Sequence, residues 1–220
     1  MKDNTTDERI KEKAKGLFFK YGLKSVSMDE IATVSGSSKK TIYKFFHDKN
    51  AIVHTVVDDL IRSHDDLFKA SRSTANDAID EVLKQDSGLS LICRNLRPGF
   101  FYELEKFFPI SWKQLEQYKS YVLEGIINNL RRGQEEGLYR EDIDITLIAD
   151  LRMQQLIIVP QPQVLTSHKL SLNRMGGEFT KFYLHAITTE KGKKLLDQYL
   201  NEQKVTGDSA LDRENDFDNK

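Results

Sequence analysis

The sequence predicts an all-α protein. Only four prolines interrupt 220 residues, and apolar residues recur at three- and four-residue spacings through most of the chain. Residues with cap chemistry stand at the heads of several of these stretches. The pattern falls into two blocks: an N-terminal three-helix helix-turn-helix domain over 1–48, and a C-terminal helical domain over 49–203. A polar, acidic stretch at 204–220 is expected to be a disordered tail.

In the first block, Ile10, Ala14, Leu17, Phe18 and Tyr21 share one helical face, and Gly22 is a natural stop. Ser27 precedes "MDEIATV" with Glu30 three residues on, the pattern of a capping box. "SGS" at 35–37 breaks that helix, and Ser38 caps a third one running to about Phe45. Asp48 caps a longer fourth helix to about residue 70, its charge suited to the positive end of the helix dipole.

In the second block, 75–96 reads as a helix with a break expected near Ser87–Gly88. Pro98 and Pro109 bracket a short helix. From 111 to 136, Leu115, Tyr118, Val122, Ile126 and Leu130 keep a clean helical spacing, and Gly137 ends the run. Asp144 caps "ITLIADLRMQQLIIV", which is apolar on nearly all sides and so predicted to lie centrally or at an interface. "PQPQ" at 160–163 reads as a loop. Helices over 169–188 and 191–203 complete the block.

Composition narrows the function. No apolar run approaches the roughly 18 residues of a membrane span, and the first 15 residues lack the apolar core of a secretory leader. A single cysteine, Cys93, excludes an internal disulfide, and a cytoplasmic protein is expected. Residues 1–50 hold 11 Lys/Arg against 7 Asp/Glu, a net of +4, while the remainder carries −5. A basic end on an acidic chain points to a local anionic partner. There is no phosphate-binding loop, nucleophile elbow or H-E-x-x-H pair. His54 and Asp58 lie four apart, with "HDD" at 64–66 behind them, but a surface pair explains them better than a metal site. No enzyme, metal or cofactor is expected.

The spacing of residues 28–49 carries the functional signal. Two short helices joined by a glycine turn and backed by a longer helix describe a helix-turn-helix, whose second helix enters the major groove with its N-terminal residues toward base edges. Lys39, Lys40 and Thr41 occupy that first turn. Ile42 and Phe46 face the core, while Tyr43 and Lys44 point to the flank where phosphates run. Lys49 adds an ammonium beside the exposed N–H groups of the next helix. Double-stranded DNA is therefore the predicted partner.

Residues 10–53, "IKEKAKGLFFKYGLKSVSMDEIATVSGSSKKTIYKFFHDKNAIV", resemble the N-terminal domain of TetR-family (tetracycline-repressor-like) transcriptional regulators. The shared elements are "A..LF...G", the "S.DEIA" of the second helix, the "G.S...IY..F" of the third and the following "DK". The resemblance implies phosphate contacts from Ser27, Tyr43 and Lys49, and base reading by Lys39, Lys40 and Thr41. Two positions depart from the pattern. Ser37 stands where many members have an apolar residue, so the turn packs less tightly. Phe45 stands where many have a histidine, so Lys44 or the first-turn lysines supply the charge instead.

The same resemblance implies a small-molecule pocket and a homodimer interface in the second block, in a bacterial repressor that leaves a palindromic operator when an effector binds. Dimerisation also has a physical basis, since one helix-turn-helix reads few base pairs and a dimer reaches two half-sites. The apolar helix containing Leu151 is one candidate surface. The other is 169–188, where Leu172, Met175, Phe179, Phe182 and Tyr183 form a broad face and Gly176 and Gly177 permit close approach. For the pocket, the aromatic-rich "GFFYELEKFFPISW" suggests an apolar or aromatic effector, with Arg97, Phe101, Tyr102, Trp112 and Tyr121 as candidate contacts. The alternatives are a ligand-independent DNA-binding protein of the same fold, such as a nucleoid or cell-division factor, and more remotely a helical metal-dependent enzyme.

Overall fold

The structure, a computed structural model, describes residues 5–93, 95–97, 99–158 and 172–211. The expected loop at 160–163, the Leu172 side chain and the end of the tail from 212 lie outside the described residues. Ten helices are present among the residues described. The first block forms α1 (Thr6–Tyr21), α2 (Met28–Ser35), α3 (Lys39–Phe45) and the start of α4 (Lys49–Thr74). The second contains α5 (Ala78–Cys93), α6 (Phe100–Phe107), α7 (Pro109–Glu135), α8 (Ile145–Ile158), α9 (Leu172–Ile187) and α10 (Glu190–Leu211). Helix α10 thus continues into the stretch expected to be a disordered tail. The one extended feature described is an isolated bridge between Tyr139 and Thr188.

The caps stand where the sequence places them. Ser27 Oγ accepts the Glu30 N–H at 3.2 Å, and Glu30 Oε2 accepts the Ser27 N–H at 2.7 Å. Ser38 Oγ accepts Thr41 N–H at 3.0 Å, and Asp48 Oδ1 accepts Ala51 N–H at 2.8 Å. Gly36 ends α2 at φ +62° and Gly137 closes α7 at φ +68°, a left-handed backbone that other residues adopt only with strain. Pro109 opens α7 at its first position, where the missing N–H costs nothing.

Two expectations change. Tyr21 is exposed, and Phe19 is buried in its place. The cause is α6, whose Phe100 meets the Phe19 ring edge-on at 5.5 Å between centroids. Helix α5 also runs unbroken through Ser87 and Gly88. The Leu67 side chain of α4 occupies the space a side chain at Gly88 would need, so the glycine admits a close helix contact rather than ending the helix.

Two cores result. The first joins Ile10, Ala14, Phe18, Ile31, Ile42 and Phe46 to Ile52, Val53, Val56 and Val57 of α4, and to Leu96, Phe100, Leu104 and Phe108 around α6. The core therefore extends beyond the boundary that the sequence suggests at 48/49. The second core is built from Ile79, Val82 and Leu83 of α5, Val122, Ile126 and Leu130 of α7, and Tyr183, Leu184 and Ile187 of α9. There the buried Tyr139 hydroxyl donates to the Ala78 carbonyl at 2.9 Å, and Asn129 Nδ2 donates to the same oxygen at 3.0 Å. Glu136 at the end of α7 accepts the Ala78 N–H at 2.8 Å and pairs with Arg132, which also reaches Glu81 at 3.1 Å. These bonds hold the start of α5 against α7, and so place the walls of the space between α4 and α9.

Candidate nucleic-acid interface and effector cavity

Helix α3 presents an exposed face. Ile42 is fully buried and anchors the helix, while Lys40, Tyr43 and Lys44 project from the surface with no hydrogen-bond or ion-pair partner among the described residues; Tyr43 is 51% exposed. Three other DNA candidates are already engaged. The Lys39 ammonium pairs with Asp29 of α2 at 2.6 Å, an interaction that raises its pKa. The Thr41 and Ser38 hydroxyls share a hydrogen bond at 2.8 Å. The Ser27 hydroxyl donates to Glu30 Oε2 at 2.8 Å, inside the capping box. The Glu30 carboxyl is held below its usual range, first by the Ser27 N–H.

Lys49 turns inward. Its ammonium donates to the Lys24 carbonyl at 3.2 Å and lies 5.8 Å from the Phe108 ring centroid, and burial lowers its pKa. Both departures from the family pattern have physical consequences. Phe45 is half exposed, an apolar ring on the outer face of α3. The Ser37 hydroxyl is buried without a hydrogen-bond partner, a cost of about 1–3 kcal/mol that an apolar residue would avoid.

A cavity of about 220 Å³ opens between α4, α5, α6, α7, α8 and α9. Val57, Leu60 and Ile61 line it from α4, and Phe100, Phe101 and Leu104 from α6. Trp112 and Leu115 contribute from α7, Met153 and Leu156 from α8, and Phe179 from α9. Its polar groups are few, the usual make-up of a small-molecule site. His64 Nδ1 and the Tyr118 hydroxyl are hydrogen-bonded at 2.9 Å. Burial lowers the His64 pKa, which keeps the ring neutral at pH 7, and burial raises that of Tyr118. On the wall formed by α5, α8 and α9, Arg152 donates to Thr180 Oγ1 at 2.9 Å, and the Thr180 hydroxyl donates to Asp86 at 2.7 Å.

Two of the five expected pocket residues, Phe101 and Trp112, line this cavity. The other three do not. Tyr102 is exposed, with Lys106 donating to its hydroxyl. Tyr121 is exposed and stacks on the outer side of Tyr118. Arg97 donates to the Tyr21 carbonyl at 2.7 Å, at the junction with the helix-turn-helix domain. His64, Asp86 and Arg152 belong to a polar wall that the helical period does not single out, whereas Tyr118 falls on the α7 face that it does.

The broad face expected on α9 also splits. Met175 and Tyr183 are buried within the chain, while Gly176 and Phe179 are half-buried and line the cavity. Phe182 is 68% exposed, as is Leu151 of α8 at 53%, with Leu147 one turn before it.

Helix α6 joins the two sites. Phe100 and Leu104 line the cavity and also belong to the core of the helix-turn-helix domain. Arg97 N–H donates to the Phe19 carbonyl at 3.1 Å, and Glu103 accepts the Lys24 N–H at 2.9 Å. Gly22, at φ +93°, leaves room for this clamp, since a Cβ there would run into the Arg97 guanidinium and the Glu103 carboxylate.

The metal alternative finds no site among the described residues, where no group of three or more potential ligands occurs. Asp58 is engaged by Arg62 and by Gln114, the latter at 3.0 Å. No helix among the described residues is long and apolar enough to cross a membrane.

Residues 10–56 match the family of bacterial regulatory proteins, tetR family. Over 77 residues the chain is 33% identical to the HTH-type transcriptional regulator TtgR of Pseudomonas putida, an alignment covering 35% of this chain and 36% of that protein. The chain thus matches about a third of the length of its curated relatives. Solved structures extend the likeness to the whole fold. A TetR-family transcriptional regulator from Cytophaga hutchinsonii superposes with a TM-score of 0.68 at 16% identity, covering 86% of this chain and 98% of that one. A transcriptional regulator from Saccharomonospora viridis, in complex with choline, gives 0.66 at 21% identity, covering 84% and 98%. Residues 10–56 therefore match the tetR-family model, and the chain shares its fold with these solved structures.

Proposed function

We propose that this protein is a homodimeric transcriptional repressor that releases a palindromic operator when a small molecule fills the cavity. The observation that carries the reading is the double membership of α6, whose Phe100 and Leu104 belong to the DNA-binding core and to the cavity wall at once. A ligand that displaces α6 moves the Arg97–Glu103 clamp, and with it the end of α1 and the entry to α2. The spacing of two recognition helices in a dimer depends on that orientation. A ligand favouring a spacing unsuited to DNA lowers operator affinity by linkage.

Lys40, Tyr43 and Lys44 make the outward DNA-facing set, and Lys39, Thr41 and Ser27 join it by exchanging their internal partners for DNA. Lys49 acts chiefly by fixing the start of α4 against the Lys24 carbonyl. Leu147, Leu151 and Phe182, on the contacting helices α8 and α9, provide the apolar face that pairs with a second copy. The names of TtgR and the Cytophaga protein support the regulatory reading, and the choline complex supports a small-molecule site in this fold. The protein is expected to act in the bacterial cytoplasm.

Linkage provides the test. Trp112 is the sole tryptophan of the chain and lines the cavity, so its emission reports occupancy. Compounds that shift this emission are expected to weaken operator binding, and saturating operator is expected to weaken their binding by the same factor, about 5- to 150-fold. A compound that fills the cavity yet leaves operator affinity unchanged would overturn the effector mechanism.

A further inference from the structure

We infer that the cavity takes a compact amphipathic carboxylate, with its head group on Arg152 and its apolar body against Trp112 and Phe101. The inference rests on the reading of the cavity as an effector site. Arg152 is only 7% exposed, and an arginine at such depth ordinarily pairs with a carboxylate. Here its partners are neutral. Nη2 donates to Thr180 at 2.9 Å, Nη1 reaches Gln155 Oε1 at 3.4 Å, and the guanidinium lies 4.9 Å from the centroid of the Tyr183 ring. The Asp86 carboxylate acts on the Arg152 charge from behind the Thr180 hydroxyl, and the two form no ion pair.

A guanidinium carries five N–H groups, and these bonds use two. Asp86 on the same wall is reached only through the Thr180 hydroxyl, which accepts from Arg152 and donates to Asp86 at 2.7 Å. Arg152 therefore keeps donors for a group entering the cavity. A ligand carboxylate satisfies them with charge-assisted bonds, of which a planar guanidinium can make two in parallel. The remaining polar groups do not compete for that role. Lys119 pairs with Glu116 at 3.3 Å and lies over the Trp112 ring, and burial keeps His64 neutral beside Tyr118.

Size limits the ligand further. A cavity of 150 Å³ accepts benzene, so about 220 Å³ has room for roughly ten non-hydrogen atoms. Octanoate and 3-phenylpropionate are of this size and character.

The full-length protein is titrated with octanoate and 3-phenylpropionate, with their isosteric amides and with octylamine, by calorimetry and Trp112 emission. Both carboxylates are expected to bind about 10- to 100-fold more tightly than the amides or the amine. Arg152→Met removes this preference, and Arg152→Lys retains part of it. The wild-type comparison stands even if Arg152→Met fails to fold. Amides that bind as tightly as the carboxylates, an amine that binds best, or no binding by any probe each overturn the carboxylate assignment. The effector reading fails separately, when a compound that does occupy the cavity leaves operator affinity intact.

Discussion

The double variant Lys40→Ala, Tyr43→Ala binds operator on the order of 100-fold more weakly than the parent protein. Loss of a base contact costs about 1–3 kcal/mol, and loss of the tyrosine hydroxyl's bond to a charged phosphate about 1.5 kcal/mol or more. Together these amount to roughly two decades in Kd. Both side chains project from α3 without a partner among the described residues. The variant therefore keeps its thermal stability to within about 0.5 kcal/mol. Loss of the Lys40 charge also lowers the slope of log affinity against log salt. Fluorescence anisotropy across a salt series reads all of this. Parental affinity in the double variant would remove α3 from the DNA interface. Lys39 is a poorer target, because its ammonium is already paired with Asp29 at 2.6 Å.

Leu151→Glu combined with Phe182→Glu yields a folded monomer whose operator affinity falls by about 10²–10⁴, the range in which two linked binding modules exceed one. The two side chains are 53% and 68% exposed, so they contribute little to the fold of a single chain. Glutamates in a paired apolar face would be buried without partners in both copies, which a dimer does not tolerate. Sedimentation or light scattering reports the mass, and anisotropy the affinity. A variant that remains dimeric and binds operator like the parent would place the pairing surface elsewhere.

The DNA-binding domain is legible in the sequence because its signals are local. Ser27, Ser38 and Asp48 each accept a backbone N–H three residues on, so residue type and spacing suffice to locate three helix starts. Gly36 and Gly137 mark ends for an equally local reason, a positive φ. The cavity is less legible because its residues are assembled by helix packing. Phe101 and Trp112 stand out as neighbouring aromatics, but the same reasoning brings in Tyr102 and Tyr121, which face outward. Helical period groups residues on a face without saying what the face meets. On α9 it groups Phe182, which is exposed, with Met175 and Tyr183, which are buried, and it assigns to the interface Gly176 and Phe179, which line the cavity. Arg152 has no local signal, since its significance lies in contacts with Thr180 and Tyr183 about 30 residues away. The one available hint is a lone arginine in α8, among the leucines, isoleucines and methionine of that helix.

The link between the two sites is invisible in the sequence for the same reason. Arg97 and Glu103 bind carbonyl and N–H groups at Tyr21 and Lys24, almost 80 positions earlier. Phe100 replaces Tyr21 with Phe19 at the inner face of α1. These long-range contacts make α6 part of the DNA-binding domain as well as a wall of the cavity. They explain why the first core does not end where the fourth helix begins.

Selection of bound duplexes from a random DNA pool, using the purified full-length chain, tests the central claim most directly. The enriched sequence is expected to be an inverted repeat whose half-sites lie about 34–36 Å apart, or a multiple of that spacing, as the two-fold symmetry of a helix-turn-helix dimer requires. Enrichment of no sequence above non-specific binding, or of a single half-site without its repeat, would contradict a dimeric, sequence-reading regulator.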